Sequence, residues 1–178
     1  MMKKRPRSQA RHKRHSLPVS YGLKMKTETI IRKAVPEEAP LLSDLAFRSK
    51  AYWGYDDAFM TACREELTLS TAKVLEHPTY VLETGGEIVG FYNLEHISGE
   101  VVELGYLFVE PREIGNGYGS ALVQHARETA KRLGYQSITI QGDPNARGFY
   151  EAWGARLVGS RPSASIAGRE LPLFRLWL

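Results

Sequence analysis

From residue 27 onward, apolar and polar positions divide the chain into short segments with clear punctuation. Thr27 to Ala34 sets Ile30 and Ile31 among polar residues and predicts a first strand. Pro36, Glu37 and Glu38 suit a helix first turn, where a missing N–H costs nothing and acidic charge meets the positive dipole end. Leu41, Leu42, Leu45 and Ala46 continue that helix to about Lys50. A second helix is expected from Asp56 to Leu67, with Asp56 and Asp57 at its N-terminus and Phe59, Met60, Cys63 and Leu67 on one face.

Thr79–Glu83 and Glu87–Ile97 predict an antiparallel pair across Gly85-Gly86, and Ser98-Gly99 turns the chain again into Val101–Val109. Ser120–Leu133 places Leu122, Ala126, Ala130 and Leu133 on one helical face. The connection through it to a strand at Gln136–Gln141 is long enough for a parallel crossover. A short helix, Ala146–Trp153, ends at Gly154. Two strands near Ala155–Gly159 and Leu171–Leu178, separated by a polar loop at Ser160–Glu170, complete the order β-α-α-β-β-β-α-β-α-β-β. The expected class is α/β (α+β), a mixed, mostly antiparallel sheet flanked by helices.

Charge changes this picture at one end only. The net +4 comes from 24 Lys and Arg against 20 Asp and Glu. Nine of the basic residues, and none of the acidic ones, lie in residues 1–26, so residues 27–178 hold 15 basic against 20 acidic residues, a net of −5. A basic tail therefore precedes an acidic domain, the reverse of a nucleic-acid-binding fold, and nucleic acid is expected as a partner only through the tail. The tail has no apolar periodicity and no signal-peptide apolar stretch. It reads as a solvated arm, an Arg-rich transit peptide or, the favoured reading, an extension upstream of a natural start at Met25. No apolar run approaches membrane-spanning length, and a cytoplasmic location is expected. The single cysteine, Cys63, allows no internal disulfide and reads as a core residue. His77 and His125 have no ligand-spaced partners, so no metal site is expected.

The chemistry concentrates in Val101–Gly119, VVELGYLFVEPREIGNGYG. A strand stops at Pro111, and Gly115, Gly117 and Gly119 lead directly into a helix. Alternate glycines admit close approach of backbone to a ligand, and a helix N-terminus offers unpaired N–H groups and positive dipole to an anion, most naturally phosphate. No Gly-Lys-Ser/Thr follows, which excludes a P-loop. The G-x-G-x-G spacing and the absence of an acidic residue near Ser137–Ile140 exclude the dinucleotide fingerprint.

Val109-x-Pro111 followed by Gly115-x-Gly117-x-Gly119-Ser120 resembles motif A of the GNAT superfamily of acyl-CoA N-acyltransferases, whose loop holds the pyrophosphate of coenzyme A. Ile114 departs from the usual Gln or Arg, removing a side-chain contact but leaving the backbone donors. Asn145-Ala146-Arg147-Gly148-Phe149-Tyr150-Glu151-Ala152-Trp153-Gly154-Ala155 is similar to the family's second motif. The resemblance covers about residues 27–178. It implies an acetyl-CoA site made of Phe108, Val109, Ile114, Gly115, Asn116, Gly117, Tyr118, Gly119, Ser120 and Asn145.

Acyl transfer to an amine requires removal of a proton from an ammonium that titrates near ~10.4, and a proton for the departing thiolate. Glu103 is the candidate base. Strand alternation groups it with Gly105, Leu107 and Val109, and the histone-acetylating branch of the superfamily carries its base at this distance from the loop. The other reading is an exposed strand-end carboxylate. Tyr150 is the candidate acid, where the family places a tyrosine near the coenzyme's sulfur; it also reads as a core aromatic. Tyr52, Trp53 and Tyr55 either pack over the core edge or wall an acceptor pocket, as the family's segment between its first two helices does. His96 is a further candidate for that pocket. The resemblance implies an acetyltransferase acting directly on a small-molecule or peptide amine, or alternatively a coenzyme-binding sensor or scaffold, and it admits a homodimer. The acidic domain favours a cationic acceptor by steering.

Overall fold

The computed structural model describes residues 28–178; the readings of the basic tail fall outside the described residues. Seven strands form one sheet in the order β1-β2-β3-β4-β5-β7-β6. They are β1 Thr29–Lys33, β2 Thr79–Thr84, β3 Glu87–Ser98, β4 Val101–Val109, β5 Ser137–Gln141, β6 Arg156–Pro162 and β7 Glu170–Trp177. The helices are α1 Ala39–Ala51, α2 Asp57–Ala62, α3 Arg64–Leu67, α4 Thr71–Glu76, α5 Tyr118–Arg132 and α6 Arg147–Ala152. Every strand pair is antiparallel except β4–β5, which α5 joins as the expected parallel crossover.

Each face of the sheet carries its own core. On one side Leu122, Ala126 and Ala130 of α5 pack on Val89, Tyr92, Leu94, Val102, Leu104, Ile138 and Ile140. On the other, Leu42, Leu45 and Ala46 of α1, with Met60, Cys63, Leu67 and Val74, pack on Val81, Phe91 and Tyr106. Burial on both faces explains why β3 reads as a nearly continuous apolar run. Cys63 is 3% exposed in the second core, and burial pushes its thiol pKa up, consistent with a packing role.

The elements depart from expectation in four places. Pro36–Glu38 forms a separate 3-10 turn, and α1 begins at Ala39. The second helix breaks at Cys63 into α2 and α3, although Asp56 caps it as expected, accepting the Phe59 N–H at 2.8 Å. An unexpected short helix, α4, starts where Ser70 accepts the Lys73 N–H at 3.1 Å; its six residues bury only Val74, too little for a periodic signal. The loop expected at Ser160–Glu170 shrinks at both ends, since β6 runs to Pro162 and β7 starts at Glu170. Among the described residues no helix is long and apolar enough to cross a membrane.

Candidate active site

Two irregularities in β4 build the site. The first is a bulge. β3 pairs Asn93 with Tyr106 and Leu94 with Leu104, leaving Gly105 unpaired. Alternation therefore inverts there. Val102 and Leu104 face α5, Tyr106 and Phe108 face α1, and Leu107 and Val109 return to the α5 side. Glu103 consequently shares a face with Tyr106 and Phe108, not with Leu107 and Val109 as strict alternation predicts. A Cβ on Gly105 would lie 2.7 Å from Glu95 Oε1, and that carboxylate is held by Lys73 at 2.8 Å, so the bulge position has little room for a side chain.

The second irregularity is a splay. β4 and β5 pair only at Val101–Ser137, Val102–Ile138 and Glu103–Thr139. Beyond that point β4 continues with β3 to Val109, and β5 continues with β7 to Gln141. The wedge between them opens into a cavity of about 530 Å³. Gly115, Gly117, Gly119 and Ser120 line one end, Phe108, Val109 and Leu107 the middle, and Glu66, Leu67, Gly105, Gln141 and Leu171 the far end.

At the glycine end, Gly115 and Gly117 have φ of +93° and +83°, which ordinary side chains rarely adopt. Gly117 is the N-cap of α5, a 15-residue helix. The first main-chain bond into the helix runs from the Ala121 N–H to the Gly117 carbonyl at 3.1 Å; the N–H groups of Tyr118, Gly119 and Ser120 have no main-chain acceptor among the described residues. A Cβ on Gly115 or Gly117 would meet nothing within 4 Å. Open space, free donors and positive dipole together fit a phosphate group held by backbone. Ile114 lines the cavity while 39% exposed, whereas Asn116 and Tyr118 do not line it. The Asn116 amide donates to Glu113 at 2.8 Å, and Tyr118 packs on the α5-side core.

Tyr150 and Asn145 reach the wall of the wedge from α6 and the turn before it. Tyr150 is 7% exposed, seated against Gly142, where a Cβ would lie 3.2 Å from both its ring and that of Phe174. Burial, then the nearby Asp143 charge, pushes the phenol well above its ordinary pKa, so it stays protonated through the neutral range. Glu103 lies beside the wedge but not in its wall. Its carboxylate accepts a 2.8 Å hydrogen bond from Arg161 of β6. Next to it in register, Thr139 is 4% exposed with a hydroxyl that has no partner among the described residues.

The expected acceptor residues separate. Trp53 lines the cavity. Tyr52 does not; it is 53% exposed and meets Trp53 edge-on. His96 also lies elsewhere. It pairs in register with Val102, which faces α5, and its ring nitrogen meets the Tyr135 hydroxyl at 3.2 Å. Tyr55 stands behind the wall, in a network that no local pattern announces. Its hydroxyl donates to Asp143 at 2.9 Å and accepts from Arg169 at 2.8 Å and Asn145 at 3.2 Å. Lys50 and the Asn145 main chain and side chain also bond Asp143, at 2.7, 2.9 and 2.9 Å. Burial alone would raise the Asp143 pKa, but Lys50 and the Asn145 N–H hold it below the ordinary carboxylate range. This network fastens α1 and the α1–α2 loop to the β6–β7 loop at the end of β5. Because Asp143 only accepts, it turns the Asn145 amide donors toward itself and leaves the amide oxygen free.

The sequence profile of the acetyltransferase (GNAT) family matches residues 44–155. The chain belongs to this family. No curated protein matches its sequence. Its structure is similar to PaiA N-acetyltransferase from Thermoplasma acidophilum in complex with coenzyme A, with TM-score 0.71 and 16% identity over 85% of this chain and 99% of that one. It is also similar to a putative acetyltransferase from Salmonella typhimurium with its cofactor acetyl-CoA, with TM-score 0.61 and 18% identity over 84% and 94%. The ribosomal-protein-S18-alanine N-acetyltransferase from Escherichia coli aligns with TM-score 0.60 and 18% identity over 84% and 94%. At these identities the likeness is one of fold. Among the described residues, no group of three His, Cys, Asp or Glu stands close enough to hold a metal ion.

Proposed function

We propose that this chain transfers an acetyl group from acetyl-CoA directly to a primary amine within a ternary complex. The observation that carries the reading is the continuity of one cavity from the glycine loop, through the β4–β5 splay, to Gly105 and Gln141. The backbone donors of Gly117–Ser120 would hold the coenzyme's pyrophosphate, and Phe108, Val109, Ile114 and Asn145 would flank its arm. The bound coenzyme supplies an activated thioester. Tyr150, kept protonated by burial, would give a proton to the leaving thiolate. Glu103 would take the amine's proton through a water, because Arg161 pairs with its carboxylate and Glu103 is not part of the cavity wall. The orphan Thr139 hydroxyl, buried beside Glu103, supports a water there, since buried hydroxyls without a protein partner are normally hydrated. No nucleophile suited to a covalent intermediate lines the cavity.

The Glu103–Arg161 ion pair favours a second reading, a coenzyme-binding sensor or scaffold that transfers little. Thiol release from acetyl-CoA with a panel of amines separates the two. Amine-dependent turnover supports transfer, and coenzyme binding without turnover on any amine supports the sensor.

A further inference from the structure

The charges on the cavity wall do not balance. Four ionic side chains line it: Lys50, Glu66, Glu113 and Asp143. Lys50 pairs with Asp143 at 2.7 Å, and Arg169, behind the wall, stands 3.8 Å from the same carboxylate. Glu113 belongs to the glycine-loop end, where the Asn116 amide donates to it and Arg112 stands 3.8 Å away. Glu66 remains, at the far end beside Leu67 and Gly105. Among the described residues no cation pairs with it, and its carboxylate is held only by the hydroxyl of Ser165, from the β6–β7 loop. Its position is nevertheless fixed. The Tyr106 hydroxyl donates to the Glu66 carbonyl at 3.1 Å, and the Ser163 hydroxyl accepts the Ile166 N–H at 3.2 Å, closing the loop that carries Ser165.

We propose that Glu66 is a specificity-determining residue that binds a second cation on the acceptor; this rests on the acyl-transfer reading above. A carboxylate against an ammonium favours its charged form. The reacting amine must lose its proton, so Glu66 is the wrong neighbour for it and the right one for an ammonium that does not react. Glu103, beside the wedge, would serve the reacting nitrogen, and Tyr150 the leaving thiolate. The acceptor class is therefore a diamine or longer polycation, rather than a simple monoamine.

The test compares 1,4-diaminobutane with butylamine, which has the same carbon chain and one amine fewer, using wild type, Glu66→Gln and Ser165→Ala. Wild type should prefer the diamine in kcat/KM. Glu66→Gln should raise the diamine KM by roughly three- to tenfold, a modest factor because the carboxylate is exposed, and the difference should shrink as salt rises. The KM for acetyl-CoA, kcat, and the butylamine parameters should stay put, and Ser165→Ala should give a smaller shift in the same direction. An unchanged diamine KM in Glu66→Gln, or equal use of the two amines by wild type, overturns the role of Glu66 while leaving acyl transfer standing. Release of no thiol with either amine, with coenzyme still bound, refutes the acyl-transfer reading and Glu66's role with it.

Discussion

The two ends of the cavity are built by different means. The glycine end is made of main chain: free N–H groups on consecutive residues and left-handed turns at Gly115 and Gly117, all within one short segment. The other end depends on side chains from separate elements: Lys50 and Glu66 line it, Ser165 and Arg169 back it from the β6–β7 loop, and Glu103 lies beside it, paired with Arg161. A backbone site tolerates almost any side chain that leaves its space open. A side-chain site depends on each group and on the contacts that hold it. On the proposed function, the first end would keep one coenzyme while the second changes its acceptor.

The largest expected effect breaks the backbone end. Gly119→Trp puts a large side chain on the cavity wall beside Phe149 and Val109, and should abolish detectable coenzyme A binding while circular dichroism shows a folded protein. Next come the two groups proposed to handle protons. Glu103→Gln should lower the rate at neutral pH by about 10²–10⁴, and part of it should return as the pH nears the amine's own value of ~10.4, where free amine no longer needs a base. A flat, wild-type acid limb in a pH–rate profile would make Glu103 a bystander. Tyr150→Phe should lower kcat by a similar factor with coenzyme affinity nearly unchanged, because the ring still packs beneath Gly142. Since burial keeps this phenol protonated, no loss of rate assignable to Tyr150 should occur below pH 10.

Asp143→Asn sharpens the comparison through stability. It leaves Lys50 without its anion and should cost roughly 2–3 kcal/mol at neutral pH by denaturant titration. The Asp143 pKa is lowered on folding, so its contribution is present above the ordinary carboxylate value of ~3.9 and is lost as the pH falls through the lowered one. The variant's deficit should therefore close in acid. A deficit independent of pH would place the effect in packing instead.

The same contrast explains what the sequence disclosed. The glycine loop, the crossover through α5 and the Tyr150 helix are local, with strong punctuation, and were legible. The bulge at Gly105 was not: it depends on how β3 pairs with β4, and it moved Glu103 to the α1 side of the sheet. Asp143 could be read only as a helix-start residue. Its bonds to Lys50 and Arg169 span positions far apart in the chain, and no periodicity encodes them. His96 and Tyr52 were plausible by position alone, and the strand face and the loop geometry turned them away from the cavity. Glu66 offered only the ambiguous signal of one acid among several on a short helix.

The central claim is that the coenzyme end works through its backbone, and calorimetric titration of coenzyme A into an Ile114→Ala/Asn116→Ala double variant tests it most directly. These substitutions remove the loop's largest exposed side chain and its amide but leave every glycine and every N–H in place. The account predicts a Kd within about threefold of wild type, since no charged or buried hydrogen bond to the ligand is lost. A loss of binding comparable to that of Gly119→Trp would contradict it and make the loop a side-chain site.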